Sequence, residues 1–274
     1  MGNWKVFEDD IRGLGRVAIA FSGGVDSALL VRLCADLLGP ANVLALTAVT
    51  QLQARRELGE ARDIAALAGV RLVEVELDAL AVPEVRANPI DRCYHCKRNI
   101  FTTLLAYARQ EGFEALLDGT NASDRGDYRP GHRAVKELGV LSPFDRADIT
   151  KAEIREKSQS LGLPNWNAPA AACLASRVPY GTALDEETLR RVERAEEALL
   201  SRGFRGCRVR VHGPVARIET PADDIARLAA PDVREGLTNE LKALGFDFVA
   251  LDLTGYRMGS LNSTIEKEEK RAER

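Results

Sequence analysis

One stretch near the N-terminus, AFSGGVDSALL at residues 20–30, constrains the fold of this chain more than any other. Residues 16–21, which are apolar after Arg16, predict a buried strand, and residues 25–39 carry apolar side chains at helical spacing. The small residues between them let backbone N–H groups approach a ligand closely, and a helix N-terminus favours an anion. The stretch therefore predicts a phosphate-binding loop, although a Walker A lysine and a GxGxxG pattern are both absent.

The first half of the chain continues as an alternation of strands and helices. Strands are predicted at residues 16–21, 42–49, 71–77 and 114–120, and helices at 25–39, 53–69, 97–111 and 148–162. This alternation predicts an α/β fold with a parallel sheet covered on both faces.

The pattern changes at Leu163, where a segment rich in Pro, Ala and Gly begins. After it, a helix is predicted at residues 185–202 and strands at 207–213, 215–220 and 247–253, with two helices before the last strand. We therefore predict two domains. Residues 1–162 form the phosphate-loop domain, and residues 163–274 form a connecting loop with a smaller α+β domain.

A second polar stretch, LLDGTNASD at residues 116–124, ends the fourth predicted strand. It brings four polar residues to the carboxyl edge of the sheet, where such folds bind ligands: Asp118, Thr120, Asn121 and Asp124. In the phosphate loop, Ser22 and Ser27 add hydroxyl donors. Asp26 orients the loop or binds magnesium, and Asp124 is a second candidate ligand. Asn121 and Asp124 are equally typical of turns, so both interpretations stay open.

The composition narrows the classes of partner. The formal net charge is −3, so the chain lacks the surplus of Lys and Arg with which nucleic-acid binders displace counterions. No apolar run approaches the roughly 20 residues that span a bilayer, and the N-terminus has no apolar signal-peptide core. We expect a cytoplasmic protein that acts without nucleic acid or membrane.

The chain has five cysteines, an odd count that argues against a disulfide framework. Cys34 lies in an apolar helical run and Cys207 begins a strand, so both are predicted to be structural. Cys93 and Cys96 form a Cys-x-x-Cys pair, and Cys173 is a third thiol after the connecting loop.

Three thiolates are one short of the usual ligand set of an iron–sulfur cluster. Structural zinc is an alternative for the same three thiolates, because a structural zinc site takes four ligands and His95 or His132 could be the fourth. A redox dithiol is a third interpretation. In a fourth, Cys173 reacts alone and no metal is bound.

The second half carries arginines in positions suited to an anion. Arg208 and Arg210 alternate along one strand, so their side chains share a face, and Arg matches phosphate with paired donors. Arg177 follows Cys173 by four residues, and a nearby cation lowers the pKa of a thiol. Glu196 and Glu219 are expected either to hold an active-site cation or to orient an arginine.

The sequence SGGVDS resembles the pyrophosphate loop of the PP-loop ATP pyrophosphatase superfamily. That resemblance implies a Rossmann-like parallel sheet and cleavage of ATP between its α and β phosphates. With CLASRVPYG at residues 173–181 and GYRMGSLN at residues 255–262, nearly the whole chain resembles the LarE family. Its members are ATP-dependent sulfur transferases of nickel-pincer nucleotide synthesis.

The resemblance implies a substrate, pyridinium-3,5-biscarboxylic acid mononucleotide, of which one carboxylate is adenylated and then converted to a thiocarboxylate. It also implies the cofactors ATP, Mg²⁺ and a [4Fe–4S] cluster, and a homo-oligomer. The sulfur comes either from a sulfide on the cluster or from Cys173 itself, which then becomes dehydroalanine. Two alternatives remain: an amidating ligase like NAD synthetase, and a tRNA thiolase.

The implied sites fall into four groups. ATP is expected at Ala20, Ser22, Gly23, Gly24, Val25, Asp26, Ser27, Thr47, Gly119, Thr120, Asn121 and Asp124. Substrate is expected at Tyr94, Ser176, Arg177, Arg208, Arg210, Glu219 and Arg257. The catalytic group is Cys173, Asp26 and Arg177. The metal ligands are Cys93, Cys96 and Cys173 for the cluster, and Asp26, Asp124 and Glu196 for magnesium.

Overall fold

The computed structural model describes residues 2–126, 130–169 and 173–257. The chain divides into two compact units, which are described separately. The first contains residues 1–85 and 90–171, and the second contains residues 86–89 and 172–274. Among the described residues, no helix combines the length and the apolar character that a membrane-spanning segment requires.

The first unit is built from alternating strands and helices. Its strands are β1 (Val17–Ala20), β2 (Val43–Val49), β3 (Arg71–Glu76) and β4 (Ala115–Leu117). Its helices, up to the boundary with the second unit, are α1 (Trp4–Leu14), α2 (Val25–Leu38), α3 (Arg55–Leu67), α4 (Pro83–Arg86), α5 (Arg92–Gln110), α6 (Pro130–Glu137), α7 (Pro143–Arg146) and α8 (Lys151–Ser160).

The four strands form one parallel sheet in the order β3-β2-β1-β4. In register, Val17 lies between Val43 and Ala115. β1 and most of β2 are buried, as their continuous apolar sequences predict for central strands of a parallel sheet. The predicted Rossmann-like α/β fold is therefore confirmed.

Side chains of successive residues in the central strand enter two different cores. Val17 and Ile19 face a core shared with α1, α2 and α8, whereas Ala18 faces a core shared with α5. Helix α1 was not predicted from the sequence. It completes the first core through Phe7, whose ring stacks on Phe144 at 5.1 Å between centroids.

The second unit is a smaller α+β structure. Its elements are α9 (Glu186–Ser201), β5 (Arg208–His212), β6 (Val215–Glu219), α10 (Ile225–Ala229), α11 (Pro231–Ala243) and β7 (Phe248–Leu251). The sheet has the order β5-β6-β7, with β5 antiparallel and β7 parallel to β6.

A short excursion of the chain, residues 86–89, belongs to this second unit. Asn88 is fully buried there, and its side-chain amide donates to the carbonyls of Pro179 at 2.8 Å and Thr182 at 3.1 Å. The backbone N–H of Gly181 donates to the Asn88 carbonyl at 2.9 Å. These contacts fix residues 179–182, which lie shortly after Cys173.

The largest departure from the predicted elements concerns α5, which begins at Arg92 and not at Lys97. Cys93 and Cys96 therefore lie on the first turns of a helix that was predicted to begin only after them. The early start is stabilised by packing, because Tyr94 is buried between α5 and α6.

Candidate active site

The phosphate loop lies between β1 and α2, at the carboxyl edge of the parallel sheet. The N-cap of α2 is Gly24, which has no side chain to accept from the N–H groups of the first turn. The Ser27 hydroxyl accepts from the N–H of Ser22 at 3.3 Å and donates to the Gly24 carbonyl at 3.1 Å. The two serine hydroxyls lie 3.2 Å apart. The loop is thus held by its own side chains, and its helix N-terminus suits an anion.

Two glycines permit the close approaches that shape this loop. Gly23 has φ +75°, and a Cβ there would lie 3.0 Å from the Cβ of Ala61. Gly119 follows the neighbouring strand β4, and a Cβ there would lie 3.0 Å from both the backbone N of Ser27 and the Cβ of Asp26. No side chain fits at Gly119 without displacing the start of α2.

The loop is also fixed from outside. Thr47 is buried and donates its hydroxyl to the Phe21 carbonyl at 2.7 Å, and Asn165 donates to the Gly23 carbonyl at 2.8 Å. Ala20 ends β1 and Val25 is buried at the start of α2. Thr47 and Asn165 therefore hold backbone groups on either side of Ser22.

Asp26 is the charged group of the loop. Its Oδ2 lies 2.6 Å from the Nζ of Lys151, and its Oδ1 accepts from the side chain of Asn121 at 3.4 Å. Asp124 accepts from the N–H of Asn121 at 3.1 Å, which is the turn role left open by the sequence. The structure thus brings Asn121 to Asp26, whereas Asp124 caps the local turn.

Behind this edge, the Asp118 carboxylate organises the residues that follow β4. It accepts from the hydroxyls of Thr120 and Ser142, each at 2.6 Å. Asp118 is buried and also accepts from the N–H of Thr120 at 3.3 Å, so its carboxylate fixes the backbone at Thr120.

The helix that carries Cys93 and Cys96 is packed tightly at its start. Arg92 is buried and its Nη2 lies 3.6 Å from the Sγ of Cys93. The Tyr94 hydroxyl donates to Glu137 at 2.7 Å, and the guanidinium of Arg133 stacks 3.9 Å from the centre of its ring. Tyr94 is thus held between two helices of the first unit, and its substrate contact stays a prediction.

Cys173 is exposed and caps the short 3₁₀ helix Leu174–Arg177 in the second unit. Arg177 donates to the Cys173 carbonyl at 3.1 Å and to the Ser176 hydroxyl at 3.0 Å. Both oxygens of Glu196 accept from Arg177 at 2.8 Å, and Oε1 also accepts from the N–H of Val209 at 3.0 Å. Of the two roles predicted for Glu196, the structure displays the orientation of an arginine.

A second buried pair continues this network. Arg210 and Glu219 are joined at 2.8 Å and 3.1 Å, and the Nη1 of Arg210 donates to the Ser176 carbonyl at 2.6 Å. The Glu219 side chain is 1% exposed and also lies 3.0 Å from Arg217. Arg210 therefore supports the Cys173 segment through the Ser176 carbonyl, and Glu219 neutralises the charge of Arg210.

Arg208 differs from these arginines in its partners. It donates to the Cys207 carbonyl at 2.8 Å and stacks 5.3 Å from the ring centre of Tyr256. Burial, followed by repulsion from Arg177 among other nearby charges, lowers the pKa of Arg208 below its usual value. A guanidinium so placed gains from binding an anion.

The predicted sites are thus only partly assembled within each unit. The phosphate loop, Gly119, Thr120 and Asn121 converge in the first unit, and Cys173 lies with Arg177 and Ser176 in the second. Arg257 is exposed at the end of the described residues, and residues 258–262 of GYRMGSLN lie outside them.

Metal ligands show no comparable convergence. In the three described ranges, no group of three or more His, Cys, Asp and Glu side chains is placed to hold a metal ion. The His95 Nε2 instead lies 3.3 Å from the Asp91 carboxylate. The cluster and zinc assignments of Cys93 and Cys96 remain predictions.

Sequence reasoning missed Lys151, Asn165 and Tyr256. Lys151 lies 125 residues from Asp26 in sequence. Its only local signal is the TKAE pattern of a capping box, which predicts a helix start and says nothing about a site.

The sequence has relatives among known proteins. The NAD synthase family profile matches residues 9–88. An uncharacterized protein of Synechocystis sp. is 42% identical over 93% of this chain and 94% of its own length. The pyridinium-3,5-bisthiocarboxylic acid mononucleotide synthase of Lactiplantibacillus plantarum is 38% identical over 94% of this chain and 92% of its own length. The NH(3)-dependent NAD(+) synthetase of Trichlorobacter lovleyi is 27% identical over 73% of this chain and 70% of its own.

Proposed function

The chain belongs to the LarE family of ATP-dependent sulfur transferases, and from this premise we propose that it acts on pyridinium-3,5-biscarboxylic acid mononucleotide. One carboxylate is adenylated and then converted to a thiocarboxylate, with release of AMP and pyrophosphate. The observation that carries the proposal is an exposed cysteine, Cys173, whose segment is fixed by the buried Arg177 and its partly buried partner Glu196.

Adenylation belongs to the phosphate loop. The loop N–H groups and the N-terminus of α2 hold the phosphates, while an oxygen of the substrate carboxylate attacks the α-phosphorus. The bridging P–O bond breaks and pyrophosphate leaves with the electron pair. A nucleotide-bound Mg²⁺ is usually held by one or two carboxylates together with phosphate oxygens, and Asp26 fits that requirement with its partly exposed carboxylate.

In the route without a cluster, sulfur transfer belongs to Cys173. Its thiolate attacks the activated carbonyl, the C–O bond to AMP breaks, and a thioester forms. Arg177 positions the segment through the Cys173 carbonyl and places a cation four residues from the thiol. Ser176 is oriented by the same guanidinium.

Substrate binding is assigned to β5, the strand that carries Arg208 and Arg210. Arg208 is the group we assign to the substrate phosphate, with Arg210 and Glu219 holding the strand and its neighbours in place. Tyr94 and Arg257 are further proposed substrate contacts.

The source of the transferred sulfur has two alternatives within this proposal. Cys93, Cys96 and Cys173 are the three thiolates that would hold a [4Fe–4S] cluster, which would supply sulfide as the transferred sulfur. Without a cluster, the thioester eliminates: the Cβ–S bond of Cys173 breaks with loss of its α-proton, which leaves dehydroalanine.

Anaerobic purification with iron and sulfide analysis separates these alternatives. A chain without metal that makes one product and in which Cys173 loses about 34 Da, the mass of H₂S, supports the sacrificial route. Bound iron and sulfide that disappear in Cys93→Ala and Cys96→Ala support the cluster.

The reaction itself is tested by ATP–pyrophosphate exchange with the pyridinium mononucleotide. We expect exchange that depends on this substrate in the wild type and in Cys173→Ala, but thiocarboxylate formation only in the wild type. An amidating ligase is the second candidate, supported by the NAD synthase profile at residues 9–88. Exchange with nicotinic acid adenine dinucleotide, and none with the mononucleotide, would favour it.

Quaternary structure and cellular location complete the proposal. The family resemblance implies a homo-oligomer in the cytoplasm. Light scattering of the purified protein tests the first part, and a single-chain mass at working concentration contradicts it.

A further inference from the structure

The ammonium of Lys151 lies beside the phosphate loop although it comes from a distant part of the chain. Its Nζ is 2.6 Å from the Oδ2 of Asp26, and both side chains are about one-third exposed, at 32% and 29%. This is the distance of a direct charge-assisted hydrogen bond, and the exposure leaves room for a ligand at the pair.

The position of Lys151 is set by the start of α8. Thr150 and Glu153 form a capping box in which Glu153 accepts from the Thr150 N–H at 2.9 Å, and the N–H of Lys151 donates to the hydroxyl of Ser123 at 3.0 Å. The backbone of Lys151 is therefore anchored to the carboxyl edge of the sheet while its side chain reaches Asp26.

The charges of the loop explain why such a group is useful. Residues 22–27 contain one carboxylate and no Lys or Arg. An unneutralised Asp26 would repel the phosphates that the helix N-terminus attracts. Lysine is a compact charge on a flexible stem with three donors, so it can change partner within its own reach.

We propose that Lys151 contacts the leaving pyrophosphate of the adenylation step, taking the part that a Walker A lysine takes from within its loop. This inference rests on the proposed adenylation. Before nucleotide binds, the ammonium neutralises Asp26. In the complex it donates to oxygens of the β and γ phosphates and stabilises the charge that develops when the bridging P–O bond breaks. No proton needs to be transferred.

The test is binding of magnesium pyrophosphate and of AMP, by calorimetry, to the wild type, Lys151→Met and Lys151→Arg. We expect Lys151→Met to bind pyrophosphate at least about tenfold more weakly and AMP within about twofold of the wild type, because AMP lacks the β and γ phosphates. Lys151→Arg should retain most of the pyrophosphate affinity. Lys157→Met, an exposed position on the same helix, is the matched control and should match the wild type.

A structural role would give a different result. If Lys151 only supported the loop, AMP and pyrophosphate would weaken together, and that outcome overturns the proposal. Unchanged pyrophosphate affinity in Lys151→Met overturns it as well.

A double variant separates direct contact from neutralisation of Asp26. In an Asp26→Asn background, Lys151→Met should still weaken pyrophosphate binding. If its effect disappears there, Lys151 acts only through Asp26 and the proposal fails. Because these measurements use no carboxylate substrate, they stand even if exchange with the pyridinium mononucleotide is not observed.

Discussion

Replacing Gly119 by Ala is the sharpest test of how the sheet edge shapes the phosphate loop. The new Cβ would lie 3.0 Å from the backbone N of Ser27 and 3.2 Å from the carbonyl carbon of Asp26. Non-bonded carbon atoms normally lie about 3.5–4.0 Å apart, so the first turn of α2 must move by roughly 0.5 Å. The obstacle is backbone, which cannot rotate away as a flexible side chain can.

Two quantities follow from that displacement. Overpacking of this kind costs about 1–3 kcal/mol of unfolding free energy. The displaced turn also carries the N–H groups that are expected to bind the phosphates. Loss of one charged hydrogen bond, worth about 1.5–3 kcal/mol, lowers the affinity for ATP roughly 10- to 100-fold. Calorimetric ATP binding and denaturant unfolding measure the two effects.

Gly59→Ala is the matched control. Gly59 lies inside α3, and a Cβ there meets no atom of the described residues within 4 Å apart from the helix's own backbone. Replacing a helical Gly by Ala stabilises by about 0.5–1 kcal/mol, so the two variants should move stability in opposite directions. If Gly119→Ala binds ATP as well as Gly59→Ala does, the close approach at Gly119 does not shape the site.

Three further variants test the charges. Glu219→Gln leaves Arg210 buried without its carboxylate and should cost about 3–5 kcal/mol in denaturant unfolding, whereas Glu186→Gln, from an exposed pair, should cost about 0.5 kcal/mol or less; equal effects would refute the buried-pair argument. Arg208→Gln should raise the KM for the substrate about 10- to 100-fold, because an anion contact is lost. It should not lower the free energy of unfolding, because it removes repulsion between Arg208 and the neighbouring arginines; a large loss of stability with unchanged KM would contradict this. Hydrogen bonds from Thr150 and Gly2 lower the pKa of Glu153 from 4.5 to about 2. The ionised carboxylate therefore stabilises the folded state, so the Tm of the wild type should exceed that of Glu153→Gln by a constant amount above pH 4.5, and the difference should shrink as pH falls towards 2. A Tm difference that persists at pH 2 would count against that assignment.

The sheet and its order of elements followed from the sequence because central parallel strands are apolar on both faces. VAIA and VLALTAV are short, continuous apolar runs typical of buried parallel strands, and Gly39 ends α2 with φ +82° as a C-terminal glycine does. The N-terminal helix α1 was missed although Trp4, Phe7 and Ile11 have helical spacing and Asn3 caps it. Its role in the core depends on Phe144, a contact that local pattern does not contain.

The phosphate loop was recognisable from the sequence because its inner contacts are local. Ser22, Gly24 and Ser27 hydrogen-bond to one another within one six-residue motif, whereas the contact of Asn165 with the loop comes from a distant segment. Lys151 meets Asp26 only because α8 begins at the same edge of the sheet as the loop, and that meeting is a property of topology. Sequence also cannot assign counter-ions, since Glu219 faces Arg208 in strand register yet bonds to Arg210.

The distribution of those counter-ions bears on the substrate contact that we propose for the second unit. Arg177 is held by Glu196 and Arg210 by Glu219, each with two short hydrogen bonds, and Arg217 contacts both Glu219 and Asp252. Arg208 instead donates to a carbonyl, and its pKa is lowered by burial and by the neighbouring cations. A paired arginine offers an incoming anion little, because its donors and charge are already engaged. Arg208 is therefore the arginine of β5 that we propose to contact the substrate phosphate, and a single such group suits a mononucleotide better than a substrate with several phosphates.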